Sequence, residues 1–140
     1  MLLPCQDPEN VGAVIRSCVA FGATRVILLA ESAHPFLPKA LRASGGAVLR
    51  ARLAQGPSLK ELPADLPILA LSPEGDDIAA VRFPSAFGLL VGLEGPGLPE
   101  PLHRWGVAIP IHPAVESLNA ATAAASALYL WSRAAGPATS

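Results

Sequence analysis

The run Arg25-Val26-Ile27-Leu28-Leu29 decides the fold class. It is short, apolar and β-branched at two positions. It reads as a strand buried on both faces, which is what a parallel sheet demands. Upstream, Asp7-Pro8 offers a helix N-cap followed by Pro at the first helical position. Val11, Val14, Ile15, Cys18, Val19 and Phe21 then recur at helical spacing, and Gly22 stops the helix. Met1-Leu2-Leu3 leaves room only for a stub of a strand before Pro4.

The alternation continues downstream. Residues 37–50 contain a helix that is interrupted or ended at Ser44-Gly45-Gly46, and a short strand is expected over 48–53. Residues 59–62 read as one helical turn and Pro67-Ile68-Leu69-Ala70-Leu71 as another buried strand. Residues 76–81 fit neither period. A strand over 86–92 ends in a Gly-rich turn, and a short helix over 99–105 leads into a strand over 106–111. Ser117 is the expected cap of a long Ala-rich helix running to about Arg133, closed by Gly136-Pro137. Apolar strands alternating with helices predict an α/β domain with a mostly parallel sheet covered by helices on both faces.

With 140 residues, 51% of them hydrophobic, one compact domain can bury a sizeable core. Only 15% are charged, below the usual quarter or so. A buried oligomer interface is one natural reason. The net charge of −1 argues mildly against autonomous tight binding of nucleic acid, which draws on phosphate neutralisation. It leaves room for a local basic patch from Arg42, Arg50 and Arg52, which are otherwise ordinary solvated residues. Cys5 and Cys18 form no disulfide framework and fit buried thiols of a reducing, cytoplasmic setting. His34, His103 and His112 show no metal-ligand spacing, so no metal is expected. Pro4, Asp7 and Glu9 interrupt any signal-like apolar run, and no stretch reaches the roughly 20 apolar residues of a membrane span.

Three segments carry possible chemistry. In the first, Asn10-Val11-Gly12-Ala13-Val14-Ile15-Arg16, Arg16 interrupts an apolar helix face one turn after Gly12. A helical Gly costs about 1 kcal/mol relative to Ala, which is easier to understand if something approaches the helix there. Arg16 then projects toward an anion or, more plainly, pairs with a carboxylate. In the second, Gly92-Leu93-Glu94-Gly95-Pro96-Gly97-Leu98, glycines after a buried strand leave backbone groups open to a ligand. The pattern is not a dinucleotide-phosphate loop, and Glu94 is either a polar handle or a solvent-facing turn residue. In the third, Ile109-Pro110-Ile111-His112-Pro113-Ala114-Val115-Glu116-Ser117-Leu118-Asn119, Ser117 and Asn119 sit at the start of the last helix, whose N–H groups favour an anion. Taken alone, the segment is better explained as a good N-cap.

The order and detail of the three segments together resemble the signature motifs of the SpoU (TrmH-like) family of RNA 2′-O-ribose methyltransferases. Asn10, Gly12 and Arg16 match the first motif; Gly92, Glu94, Gly97 and Leu98 the second; Ile109, Pro110, Glu116, Ser117, Leu118 and Asn119 the third. Ser44-Gly45-Gly46-Ala47 is similar to a small segment the family carries between them.

The resemblance implies a fold whose C-terminal part, about residues 87–133, forms a deep trefoil knot, a rare exception to ordinary topology. It implies S-adenosylmethionine as cofactor, held by Leu71, Ser72, Gly92, Leu93, Gly97, Ile109, Ile111, Ser117 and Leu118. It implies a homodimer, with the first and last helices across the two-fold and a shared site for RNA, ribosomal or transfer. The catalytic set carried over is Arg16, Asn10, Glu94, Ser117 and Asn119. A literal Arg base is chemically awkward, because arginine rarely loses its proton. Many members carry an N-terminal RNA-binding domain or basic extensions. This sequence shows neither, so a minimal catalytic domain over 1–140, or a fragment of a longer chain, is expected.

Two other classes compete. A non-catalytic RNA-binding or assembly module is disfavoured by the joint presence of Asn10, Arg16, Glu94, Ser117 and Asn119. A doubly wound oxidoreductase requires a Gly-rich turn after the first strand and an acidic residue about 20 positions on, and neither is present. Hydrolase readings lack a metal cluster or a nucleophile–base pair.

Overall fold

The fold is given by a computed structural model that describes residues 1–23, 25–93 and 97–136. Among these residues six strands form one sheet: β1 (Leu2–Leu3), β2 (Arg25–Leu28), β3 (Arg52–Gln55), β4 (Ile68–Asp77), β5 (Gly88–Leu90) and β6 (Gly106–Ala108). The spatial order is β3-β2-β1-β5-β4-β6, and every pairing is parallel. The two-residue stub β1 therefore sits in the middle, with Leu2 opposite both Ile27 and Leu90. The chain builds outward from β1 through β2 to β3, then crosses to the other side. That reversal between β1 and β5 is the kind of switch point at which α/β sheets bind ligands.

The helices are α1 (Pro8–Ala20), α2 (Pro38–Ser44) and α3 (Ala120–Ala134). Asp7 caps α1 as expected, its side chain accepting the Glu9 N–H at 2.9 Å, with Pro8 at the first helical position. Strand residues divide by period two. Leu3, Val26, Leu28, Leu89 and Val91 join Val11, Val14, Ile15 and Cys18 of α1 and Ala124, Ala127 and Leu128 of α3 in one core cluster. Leu2, Leu29, Ile68, Ala70 and Leu90 form the other, with Leu59, Leu98, Leu102 and Trp105. Both faces are covered, but unequally. The α-helices serve the first face, and the second is closed by loops and the 3-10 turns Leu59–Glu61 and Glu100–Trp105. Each large aliphatic side chain fully buried this way contributes about 1.5–3 kcal/mol. Neither cysteine is in a disulfide, both are buried, and burial pushes the Cys18 thiol up to about 11.

Several boundaries differ from expectation for identifiable reasons. The strand expected from 48 begins at Arg52, because Gly45 and Gly46 turn left-handed (φ 56° and 85°) and lead into a 3-10 turn, Ala47–Leu49. The short helix expected over 99–105 is a 3-10 segment, Glu100–Trp105, with Pro101 inside it. The strand expected over 106–111 stops at Ala108, since Pro110 has no N–H for the ladder. The undecided residues 76–81 divide into the end of β4 and a 3-10 turn, Ile78–Ala80. Between Leu71 and Asp76, β4 bulges against β6, and a side chain at Gly75 would overlap the backbone of Gly106 and Val107.

A candidate active site at the carboxyl ends of the central strands

Ser117 does not cap the last helix. Asn119 does: its Oδ1 accepts the N–H groups of Ala121 at 2.9 Å and Thr122 at 3.2 Å. Asn is as good a cap as Ser, and a tertiary contact decides between them. The Asn119 Nδ2 donates to Oδ1 of Asn10 at 3.1 Å. Asn10 lies in the first turn of α1 and is 6% exposed. One hydrogen bond thus fastens the start of α3 to the start of α1, beside the carboxyl end of β1. Ser117 itself is exposed and Leu118 half-buried on the approach to the helix.

Gly12 does admit a close neighbour, but that neighbour is protein. A Cβ there would overlap the carbonyl oxygen of Ala40, so its absence lets α1 and α2 pack backbone to backbone. One turn further, Arg16 is exposed, and its guanidinium carbon lies 3.5 Å from where a Gly45 Cβ would stand. No carboxylate partners Arg16 among the described residues. Among the described residues, then, nothing supplies the plain ion pair expected for an Arg on this helix. Arg16 is six residues along α1 from Asn10, a rise of about 9 Å. Within one chain it stands over the Gly45 turn rather than over the strand ends.

Of the expected cofactor residues, the sheet brings Leu71 and Gly92 side by side. Strand β4 lies between β5 and β6, with Leu71 opposite Val107. Leu71 thus lies between Gly92, just beyond β5, and Val107 of β6, whereas Ile109 follows Ala108, which pairs with Asp77 after the bulge. A Cβ on Gly92 would come within 3.0 Å of the Leu71 carbonyl oxygen. Gly97 has φ 81° with open space where its side chain would be, a backbone that a ligand can approach. Ile111 is 37% exposed, on the segment between β6 and α3. Glu94 lies outside the described residues.

Of two local supports, the first carried no sequence signal and the second lies within the Ser44-Gly45-Gly46-Ala47 segment. His103 Nε2 lies 2.7 Å from the Leu98 carbonyl oxygen, tying the end of the Gly-rich segment to the following 3-10 turn. Ser44 is buried, its hydroxyl donating to the Leu41 carbonyl at 2.8 Å, which closes α2 ahead of the Gly45 turn. Among the described residues no group of His, Cys, Asp and Glu could hold a metal ion. No helix among them is long and apolar enough to cross a membrane.

The geometry agrees with what the chain is similar to. Residues 1–129 match the model of the SpoU rRNA Methylase family. A protein of Syntrophobacter fumaroxidans named ribosomal RNA small subunit methyltransferase G 2 is 71% identical over 133 residues, covering 95% of this chain and 27% of that protein. A 23S rRNA (uridine(2479)-2′-O)-methyltransferase of Streptomyces viridochromogenes is 33% identical over 88% of this chain and 48% of its own length. The crystal structure of an AdoMet-bound rRNA methyltransferase from Sinorhizobium meliloti superposes with a TM-score of 0.82 at 30% identity, covering 94% of this chain and 54% of that one. The chain thus spans from about a quarter to about half the length of these relatives. By its family match over nearly its whole length, the chain belongs to the SpoU rRNA Methylase family.

Proposed function

We propose that this chain is a catalytic domain that methylates a ribose 2′-hydroxyl of RNA, ribosomal RNA in the first instance, with S-adenosylmethionine as donor. The observation that carries the reading is the Asn119–Asn10 hydrogen bond. It joins the first and third family motifs side chain to side chain, next to the glycine-opened strand ends of the second. The 2′-oxygen as target draws support from the Streptomyces relative's name, and the cofactor from the AdoMet-bound neighbour.

The residues present fit that cofactor. Gly92 and Gly97 leave backbone groups unshielded, and half-buried Leu93, Ile109 and Leu118 offer apolar walls. Leu71, Ser72, Gly92, Leu93, Gly97, Ile109, Ile111, Ser117 and Leu118 would hold it. When bound, it supplies a methyl group made electrophilic by a sulfonium.

The chain's own task is to position the ribose and manage charge. Transfer needs the 2′-oxygen held in line, with its proton given up to solvent water as the bond from oxygen to the methyl carbon forms and the bond from sulfur breaks. Arg16 holds an RNA phosphate and stabilises the developing negative charge on oxygen; it does not act as a base. Asn10 and Asn119 set the spacing between α1 and α3. Glu94 and Ser117 complete the pocket in this reading.

The domain acts as a cytoplasmic homodimer, with α1 and α3 at the two-fold. Arg16 stands away from its own strand ends, which favours a site completed by a second copy. The C-terminal part is knotted in this reading: the chain passes from β5 across β4 to β6, then returns to pack α3 on α1. A non-catalytic RNA-binding module is the alternative. Calorimetric titration with S-adenosylmethionine and its demethylated product tests the two. Saturable one-to-one binding per subunit supports the enzyme, whereas no binding at millimolar ligand by a folded protein leaves the module.

A further inference from the structure

The net charge of −1 hides a local basic stretch. From residue 32 to residue 60 every charged side chain is basic: Lys39, Arg42, Arg50, Arg52 and Lys60. Glu74, Asp76, Asp77 and Glu100 gather instead on the segments around β4 and β6. The sheet order turns this sequence asymmetry into a spatial one, since β2 and β3 lie on one side of β1 and β4 to β6 on the other. The side with α2 and β3 is therefore richer in basic residues, with Glu31 and Glu61 at its borders, and the side with β4 and β6 is richer in acidic ones.

The side with α2 and β3 holds a cavity of about 220 Å³ at the carboxyl ends of β2 and β3. An enclosed cavity of about 150 Å³ is enough for a benzene ring, so one heterocycle fits. Leu28 and Ala54 give it an apolar floor, and His34, Phe36 and Gln55 stand around it. The His34 and Phe36 rings lie 5.7 Å apart at 45°, and Phe36 is 48% exposed. The Phe36 N–H donates to His34 Nδ1 at 3.1 Å. That leaves the ring proton on Nε2, a hydrogen-bond donor for a ligand. Gln55 donates through Nε2 to the Leu28 carbonyl at 3.1 Å, so its Oε1 remains an acceptor. An aromatic face, one donor and one acceptor around an apolar floor are what an unpaired base requires.

We propose that this cleft is a subsite for the base of an unpaired RNA nucleotide neighbouring the methylated one. The proposal rests on the RNA methyltransferase reading and adds where the RNA runs. Lys39 and Arg42, one turn apart on α2 just after Phe36, lead from the cleft toward Arg16, which sits over Gly45 at the far end of the same helix. Seven helical residues span about 10 Å. A strand whose phosphate rests on Arg16 therefore reaches the cleft within a short step, past Lys39 and Arg42.

The test uses the full chain and a fluorescein-labelled, ten-nucleotide single-stranded RNA of mixed sequence, followed by anisotropy. Phe36 is exposed, so Phe36→Ala leaves the fold intact. It is expected to weaken RNA binding about tenfold, as loss of a stacked base does, with S-adenosylmethionine binding unchanged. Lys39→Ala with Arg42→Ala makes binding less sensitive to salt, the log–log slope falling by about 1 for each phosphate no longer neutralised. An RNA of the same length with abasic residues binds wild type and Phe36→Ala alike. If wild type binds the RNA and Phe36→Ala binds it equally well, the subsite is wrong while the methyltransferase reading stands. If wild type binds cofactor but no RNA at any salt, both are wrong.

Discussion

Asn119 Nδ2 donates to Asn10 Oδ1 at 3.1 Å, while Asn119 Oδ1 accepts the first free N–H groups of α3. The two ends of one amide thus perform two jobs. One fixes where the last helix starts, and the other fixes how far that start lies from α1.

Separating the two jobs gives a first prediction. Asn119→Asp keeps an acceptor for the cap but replaces the donor with a carboxylate oxygen facing Asn10. Asn119→Ala removes both. Loss of the cap alone costs about 0.5–2 kcal/mol, and loss of the part-buried hydrogen bond to Asn10 a further ~1 kcal/mol. Thermal melting should rank wild type above Asn119→Asp above Asn119→Ala. Cofactor affinity should fall in both variants, since both lose the tether. Unchanged affinity in Asn119→Asp would show that the tether does not shape the pocket.

Gly12 gives a second. In an isolated helix Gly→Ala gains about 1 kcal/mol. Here the added methyl meets the Ala40 carbonyl oxygen, and neither helix backbone can yield cheaply. Overpacking of this kind costs about 1–3 kcal/mol, so the clash wins and Gly12→Ala is less stable in urea. Greater stability would mean that α1 and α2 are not in backbone contact.

The third concerns pH. Burial pushes the Glu31 carboxyl up, but the Ser58 hydroxyl at 2.6 Å and the Leu59 N–H at 3.0 Å outweigh it and hold the group below the usual range. A carboxyl lowered by folding stabilises the protein fully above its unfolded value, and the gain is lost as pH falls through the folded value. Glu31→Gln should therefore melt below wild type at neutral pH, with the gap closing on acidification through and below the ordinary glutamate range. A gap that widened in acid would reverse the assigned sign.

Legibility in the sequence followed burial. The runs at 25–29 and 67–71 announced parallel strands because both of their faces are apolar, and Asp7-Pro8 announced the start of α1 through local chemistry. The centrality of β1 was hidden, because two residues carry no period. The caps at Ser117 and Asn119 were locally equivalent, and a partner far away in sequence chose between them. Gly12 was recognised as a close approach, but whether ligand or helix filled the gap depended on where α2 packs. The cleft between His34, Phe36 and Gln55 had no signal, since its walls come from separate segments joined by strand pairing.

Arg16 gives a fourth prediction. It is exposed and touches no carboxylate among the described residues, so Arg16→Ala should leave melting temperature and cofactor affinity near wild type. Methyl transfer should fall by about 10²–10³, the usual loss for one electrostatic donor to a developing oxyanion. Arg16→Lys should recover only part, since the ammonium keeps the charge but not the fork. Full activity in Arg16→Ala would remove this residue from the mechanism.

The most direct measurement is where the methyl group lands. Unmodified ribosomal and transfer RNA transcripts are incubated with the protein and deuteromethyl S-adenosylmethionine, then digested to nucleosides and analysed by mass spectrometry. The account predicts label on the ribose of a 2′-O-methylnucleoside, at levels that collapse with Arg16→Ala. Label on a base, or no label from a protein that binds the cofactor and the RNA, would contradict it.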